Sequence, residues 1–437
     1  MTTLTFTCLD DYDPNALPVE RARQYLFDTV QPVVGHERLF VRQALGRVLA
    51  DDVISPVDVP AHDNSAMDGW AVRFADLSPD GETRLKNIGT AFAGRPLDLK
   101  VSAGETARIM TGAVLPEGID CVVIQEVAKV EGPDNNCVIV PPGQKLEQNV
   151  RRAGEDLKAG KPAIPAGKQL RPAELGVIAS LGIAEVSVRR RVRVALFSTG
   201  DELCSIGTPL FPGAVYDSNR YTLWGMLTRL GCEVIDMGVV KDEPAALEAA
   251  FHEAAACADA IITSGGVSVG EADFIKQLMA QLGEVAFWKI AMKPGRPMAF
   301  GKIGEGKESA WLFGLPGNPV AVMVTFYQFV QPALLKLMGV DPVPDLPTFP
   351  ARCMTPMKKG KGRTEFQRGI LFQDNGAWCV RPTGHQGSGI LHPPIHPGPD
   401  HCCRTTTENS PDHYPVIHRR GILYGLRLSP ACRKNHP

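Results

Sequence analysis

The sequence predicts a multidomain protein of α/β and β class, with a doubly wound α/β domain in its second half. Three observations carry that reading. The length of 437 residues allows about two to four domains, at roughly 100–200 residues each. From about residue 190, short apolar runs alternate with helical patterns. Between 53 and 144, by contrast, the apolar runs are brief and separated by Gly, Pro, Asp and Asn, which predicts a small β domain.

The elements follow in chain order. "LPVERARQYLFDTVQ" places Val19, Ala22, Leu26 and Val30 at helical spacing. "RQALGRVLADD" predicts a second short helix, and Pro56 and Pro60 then break the pattern. "ETARIM", "CVVIQEVAKVE" and "NCVIVPP" read as strands of the β domain, 53–144, inserted into an elongated outer domain formed by 1–52 and 145–189. "VRVALFS" is a buried strand of the α/β domain, 190–340. "NRYTLWGMLTRLG" is a helix closed by Gly231. "CEVIDMGVV" is a strand, "EPAALEAAFHEAAA" a helix, "ADAIITSGG" a strand and "DFIKQLMAQLG" a helix. Such alternation implies a parallel sheet covered on both faces, with right-handed crossovers. Ligands of these sheets bind beyond the carboxyl ends of the strands.

Composition excludes several classes of partner. Net charge is −2, from 46 Lys+Arg against 48 Asp+Glu, so nothing draws the whole chain to nucleic acid or an acidic membrane. No uninterrupted apolar run reaches the ~18 residues of a membrane span. "MTTLTFTCLDDYDP" lacks the basic-then-apolar order of a signal peptide. The eleven cysteines are scattered, with Cys121 and Cys232 in apolar runs. Buried reduced thiols in a cytoplasmic protein are the expectation.

The chemistry concentrates at strand ends. In "ITSGGVSVGEADF" an apolar run stops at Ser264, and Gly265, Gly266 and Gly270 surround Ser268. Glycine permits close backbone approach and leaves amides free to face an anion. Asp273 opens the next helix. "FSTGDEL" brings Asp201 and Glu202, and "VVKDEP" brings Asp242 and Glu243. One carboxylate at a strand end is an ordinary helix cap. Carboxylates at three successive strand ends point to a hard cation such as Mg²⁺, which favours carboxylate oxygens together with substrate phosphate. The lysine-bearing P-loop pattern is absent.

Lys289 and Lys293, in "FWKIAMKPGRP", read either as solvated lysines or as cations facing one anion. "FGLPGNPVAV" is a turn between Pro316 and Pro319 that opens an apolar helix. It is a plain turn with its cap, or a set of amides aimed at phosphate or a heterocycle. "HDNSAMDGWAV" gathers Asp63, Asn64, Ser65 and Asp68; "RIMTGAVLP" adds Thr111; "NVRRAGED" adds Arg151, Arg152, Glu155 and Asp156. Turn-rich loops with surface ion pairs explain these stretches, and so would anion contacts.

In order, "DNSAMDGWAV", "RIMTGA", "RRAGED", "FSTGDEL", "YDSNR", "SGGVSVGEAD", "KPGRP", "GLPGNPV", "EFQRG" and "TGHQGS" resemble the MoeA family of molybdopterin molybdenumtransferases, whose eukaryotic relative is the E domain of gephyrin. The resemblance covers about residues 15–391, and the ordered set is far more specific than any one stretch. It implies an L-shaped homodimer whose protomer has an elongated outer domain, an inserted β domain, a MogA-like α/β domain and a C-terminal β-barrel. The implied reaction delivers molybdenum from molybdate to adenylylated molybdopterin and releases AMP, assisted by Mg²⁺.

By match to the family motifs, Glu202, Asp242 and Asp273 would line the metal and nucleotide site. Lys289 and Lys293 would meet phosphate or molybdate, beside Gly265, Gly266 and Ser268. Pro316 and Pro319 would shape the pocket floor. Asp68, Thr111, Arg151 and Asp156 would come from the partner subunit. Arg368 and Ser388 would hold molybdate, a dianion suited to guanidinium and hydroxyl donors. The implied partners are the two substrates, a second copy of the chain and the molybdopterin adenylyltransferase. Trp70 stands where the family often has tyrosine, and Arg296 where lysine is common. Two rival readings are a molybdopterin adenylyltransferase and a non-enzymatic scaffold of the gephyrin kind.

The resemblance stops after "GHQGSGIL". Residues 392–437 hold six of the ten histidines and eight prolines, a composition that suits strands poorly. This tail reads as a shifted reading frame, which would leave the barrel, 341–391, incomplete. His396, His401, Cys402, Cys403 and Cys432 match no familiar zinc spacing.

Overall fold

The computed structural model describes residues 15–133, 136–265, 273–306, 308–356, 362–384, 386–389, 400–405, 414–417 and 423–424. Its central feature is a six-stranded sheet in the order 233–240, 193–199, 260–264, 308–315, 297–305, 283–289. Strand Arg193–Thr199 runs parallel to both Glu233–Val240 and Ala260–Ser264, and the latter runs parallel to Glu308–Leu315. Strand Pro297–Glu305 is antiparallel to both its neighbours. The expected all-parallel sheet is therefore mixed. The tight turn between 305 and 308 leaves no room for the crossover that a parallel neighbour requires.

Alternation along each buried strand sends side chains to two cores. Val194, Leu196, Ile262 and Phe313 face the helices Ser218–Leu230 and Pro319–Thr325. Ala195, Phe197, Ile261 and Leu312 face the helices Pro244–Cys257 and Asp273–Leu282. Helix Val19–Thr29 buries Val19, Ala22 and Leu26 in the first of these cores, although the sequence assigns it to the outer domain. The helical stretch 319–337 is long and apolar enough to cross a membrane, but it is mostly buried here as a core helix. It contains a π-turn at Phe326–Val330, which ends two residues before Pro332. Proline has no N–H to donate, and the wider turn accommodates that lost bond.

The first half of the chain forms two further units. A six-stranded sheet in the order 121–124, 69–72, 105–109, 83–91, 137–140, 129–131 carries Trp70 and Val72 on one buried face and Ala71 on the other. Residues 53–54 pair with 162–164, and 64–65 with 150–151. The inserted sheet thus begins at Gly69 rather than at 53. The outer core gathers Leu49, Val53, Leu170, Ile178 and Val188. The helix expected over 42–52 is only a 3₁₀ turn, Val41–Ala44, because Leu45 turns to an extended conformation at ψ 128°.

The C-terminal sheet closes on itself. Strand Thr364–Asp374 pairs with Ala377–Pro382 on one side and Asp400–Thr405 on the other. Strand Thr348–Cys353 pairs with Ala377–Pro382 and Tyr414–Ile417, and the last pairs with Asp400–Thr405. The ring is complete at the level of the backbone, with two tail segments supplying strands. The expected C-terminal barrel is thus present as a curled sheet, to which tail segments of four to six residues contribute strands. The remainder of the tail, including His396 and Cys432, lies outside the described residues.

Cys121, Cys137, Cys204, Cys232, Cys257, Cys353 and Cys379 are free thiols. Burial pushes Cys121 up to about 11 and Cys232 up to about 12, so both stay protonated and inert.

An ion pair fixes the start of the α/β domain to its sheet. Arg190 Nη1 and Nη2 donate to the two oxygens of Asp259 at 2.7 Å each, and the Arg193 backbone N–H donates to Oδ2 at 2.8 Å. Burial alone would push the Asp259 carboxyl up, but these donors outweigh it and hold it below the usual range. A depressed carboxyl adds stability above its unfolded value, about 3.9, and loses it as pH falls through the folded value. Arg190→Met should therefore cost about 2 kcal/mol in urea unfolding at pH 7. The gap from wild type should close as pH drops below about 4.

Candidate active site

The parallel strands place their carboxyl ends on one edge of the sheet, and most of the predicted site residues stand there. Thr199 ends its strand, almost fully buried, and its hydroxyl donates to Asp242 Oδ1 in the loop after Val240. That bond fixes the carboxylate against the neighbouring strand and leaves Oδ2 unclaimed by it. Glu202 lies two residues beyond Gly200, with its carboxylate folded over the glycine: a Cβ there would come within 2.6 Å of Oε2.

Gly265 continues the next strand at φ +97°, and its N–H donates to Leu315 O at 3.2 Å. A Cβ at Gly265 would sit 2.2 Å from the Thr199 carbonyl oxygen. No other residue fits so close to that backbone. Gly265 in turn faces Gly317, in the turn between Pro316 and Pro319. Pro316 is buried and Pro319 half-buried. Asn219 spans the same gap, donating from Nδ2 to Ser264 Oγ at 2.8 Å and to Gly317 O at 2.7 Å.

The C-terminal sheet reaches the rim from the other side. The Val320 N–H, in the first turn of its helix, donates to Ser388 O at 3.0 Å. Arg368 donates through Nη2 to Gly387 O at 3.3 Å, and its backbone N–H donates to Gln386 Oε1 at 2.7 Å. Residues Met292–Lys293 pair with Thr364–Glu365, so exposed Lys293 lies three residues along the same ladder from Arg368. Lys289 ends strand Gly283–Lys289 at this edge, half-buried, and its carbonyl accepts the Leu17 N–H at 2.8 Å. Asp242, Thr199, Gly265 and Gly317 therefore follow one another along the edge, while the C-terminal sheet joins it through Ser388 at Val320 and through Arg368 at the neighbouring Gly387.

Gly266 and Ser268 lie outside the described residues. Asp273 begins the helix Asp273–Leu282, which packs on the sheet face shared with Pro244–Cys257. Among the described residues, no three acidic, histidine or cysteine side chains gather closely enough to hold an ion unaided.

A second group stands in the first half of the chain. Asp68 Oδ1 accepts both the backbone N–H and the hydroxyl of Thr111, each at 2.7 Å. These bonds, the backbone one foremost, hold the exposed Asp68 carboxyl below the usual range. Asp63 accepts the Ala153 N–H at 2.8 Å and pairs with Arg152. Arg151 pairs in strand register with Asn64, and the Asp156 N–H donates to Val59 O at 3.0 Å. Among the described residues, the bonds of this loop close within 58–157, so Asp68, Thr111, Arg151 and Asp156 are grouped together but not joined to the rim. Buried Trp70 packs beneath, with the Arg108 guanidinium 5.9 Å from its ring centroid.

Motif reading overlooked Thr199 and Asn219. Both sit inside quoted stretches, but their partners lie 43 to 98 residues away. The available signal was the N-cap Asp217 in "YDSNR", which fixes where helix Ser218–Leu230 starts and hence where Asn219 points.

Comparison with known proteins gives this geometry its family. Residues 17–182 match the MoeA N-terminal region (domain I and II), 195–336 a probable molybdopterin binding domain, and 350–393 the MoeA C-terminal region (domain IV). A molybdopterin molybdenumtransferase of Haemophilus influenzae is 45% identical over 376 residues, which is 86% of this chain and 91% of the relative. The chain belongs to the MoeA family of molybdopterin molybdenumtransferases. A second family member, from a Nostoc species, is 42% identical over 301 residues, 68% of each chain. The crystal structure of the molybdopterin biosynthesis MoeA protein of Pyrococcus horikoshii superposes with a TM-score of 0.72 at 28% identity, covering 86% of this chain and 92% of that one. The third matched region ends at residue 393, close to where the resemblance in sequence stops.

The Asp68–Thr111 pair can be checked directly. Thr111→Val removes the hydroxyl bond and keeps the backbone one. In an NMR pH titration, Asp68 should then move part of the way up toward the ordinary value of about 3.9. No movement would mean the hydroxyl contributes nothing.

Proposed function

We propose that this chain is a molybdopterin molybdenumtransferase that takes adenylylated molybdopterin and molybdate, inserts molybdenum and releases AMP. The observation that carries this is that Asp242, Thr199, Gly265 and Gly317 share one sheet edge, which Ser388 joins at Val320, with Arg368 bonded to the adjacent Gly387. One end offers carboxylates for a phosphate-bound cation; the other offers guanidinium and amine donors for an oxyanion.

Mg²⁺ suits the carboxylate end. It binds through one or two carboxylates together with substrate phosphate and water, rather than in an all-protein cage. Asp242 and Glu202 would hold it, with Asp273 as the third predicted ligand. When bound, it would neutralise charge on the phosphoanhydride.

The chain's own residues account for the remainder. Thr199 keeps one Asp242 oxygen occupied, so the carboxylate keeps a single orientation. Gly265 lets the ligand approach the backbone at the strand end. Lys293, Arg368 and Ser388 would receive molybdate, where positive charge and N–H or O–H donors face a dianion. Cleavage of the anhydride then needs an oxygen nucleophile, from water or molybdate, to form a bond to phosphorus as the bridging P–O bond breaks, with the charge on both phosphates compensated.

A homodimer fits the separated second group. Asp68, Thr111, Arg151 and Asp156 would complete the site of the partner subunit. Tyr221 and Trp224 are nearly half exposed on helix Ser218–Leu230, as expected of an apolar ridge that meets another surface. The adenylylated substrate would come from an adenylyltransferase, and the free thiols accord with a cytoplasmic location.

The test is molybdate-dependent AMP release from adenylylated molybdopterin, with Mg²⁺ and without ATP. Asp242→Ala should slow it about 100-fold or more with the fold preserved by circular dichroism. Full turnover in that variant would remove the metal assignment. A requirement for ATP would favour the adenylyltransferase reading instead.

A further inference from the structure

Behind the rim, the helix Ser218–Leu230 is anchored by buried charge. Asp217 is 1% exposed and accepts from Ser198 Oγ at 3.0 Å, from the Arg220 backbone N–H at 3.1 Å and from Arg220 Nε at 3.0 Å. Arg220 Nη1 reaches both oxygens of Asp236, at 2.8 and 2.7 Å. The first helical turn is thereby bolted to strands Arg193–Thr199 and Glu233–Val240. Asn219 reaches forward from that anchor to Ser264 Oγ and Gly317 O.

The orientation of this amide is determined by chemistry. A carbonyl oxygen can only accept, so the nitrogen of Asn219 must be the atom that faces Gly317. The other side of the amide gains nothing: Asn219 Oδ1 is buried with no hydrogen-bond partner among the described residues. An orphaned buried acceptor is unfavourable. The side chain is therefore held as it is by the two bonds it donates.

Those bonds cross between two adjacent strand ends. One belongs to Ala260–Ser264, just before Gly265. The other belongs to the turn that follows Glu308–Leu315. The Val320 N–H, three residues past Gly317, is taken by Ser388 O. The turn is thus held from the sheet side by Asn219 and from the C-terminal domain by Ser388.

We infer that Asn219 is a positioning residue that holds the Gly265 strand end against the Pro316–Asn318 turn, and so shapes the slot in front of them that receives the nucleotide part of the substrate. This rests on the proposed reading of the rim, and the two are separable by experiment. Asn219→Asp keeps the size of the side chain and leaves Asp217 and Arg220 untouched. At pH 8 its carboxylate cannot donate, so two acceptors face each other across the gap. At about pH 5 a carboxyl group raised by that repulsion regains protons and can donate once.

The full chain is titrated with AMP and Mg²⁺ by calorimetry, and amide hydrogen exchange is measured around residues 264–265 and 316–320. In Asn219→Asp at pH 8, AMP should bind about tenfold more weakly, and the Gly265 and Val320 amides should exchange faster. The deficit in affinity should narrow at about pH 5. Ser264→Ala, which removes one acceptor and cannot disturb the helix anchor, should weaken AMP by about threefold and serves if the first variant fails to fold. Unchanged exchange in both variants overturns the bridging role. Faster exchange with unchanged AMP affinity overturns the role in setting the slot. If wild type binds no AMP, the reading of the rim falls, and the exchange comparison still judges the bridge.

Discussion

The parallel pairing of strand Arg193–Thr199 with both Glu233–Val240 and Ala260–Ser264 is the constraint on which the site depends. Parallel strands end on the same edge, so loops far apart in sequence are delivered to one place. Asp242 meets Thr199 for this reason alone. The close approach of Gly265 to the Thr199 carbonyl is the same constraint at atomic scale: any larger residue would push the third strand end away from the first. Had the second strand run antiparallel, Asp242 would lie at the opposite edge, with the same motif in the sequence and no shared site.

Buried charge turns that edge into a defined surface. Asp217, Arg220 and Asp236 form a hydrogen-bonded network in which the carboxylates are matched by one guanidinium. Such a network is weak as a source of stability but strict about geometry, because each partner is costly to leave unpaired. The helix start is fixed by it, while the apolar faces of the sheet tolerate more variation. The C-terminal sheet adds the remaining wall, through Ser388 and Arg368. Chemistry at the rim is thus divided between the α/β sheet and the C-terminal sheet.

Much of the fold was legible. Val19, Ala22, Leu26 and Val30 at helical spacing located the first helix, and Gly231 marked the end of another, where it adopts φ 94°. Periodicity, however, says nothing about direction. Strand Pro297–Glu305 has the composition of its neighbours, and only the short link to Glu308 makes it antiparallel. Residues 53–65 resemble the inserted sheet in composition, yet they pair with 150–164, a choice made by register across nearly a hundred residues. Tail strands Asp400–Thr405 and Tyr414–Ile417 carried no alternation to announce them. At the site, acidic and glycine-rich strand ends were readable because they are local. Thr199 and Asn219 were not, since a hydroxyl or an amide acquires its role only from partners that the fold brings near.

The central claim is that one edge of the sheet receives both the cation and the phosphoanhydride. Crystals of the full chain grown with Mn²⁺ in place of Mg²⁺, and with AMP, test it most directly by anomalous scattering. The account predicts a manganese peak against Asp242 at the carboxyl edge of the sheet, with AMP phosphate beside it and the base against the Gly265 and Gly317 strand ends. A peak elsewhere, with AMP bound away from this edge, would contradict it.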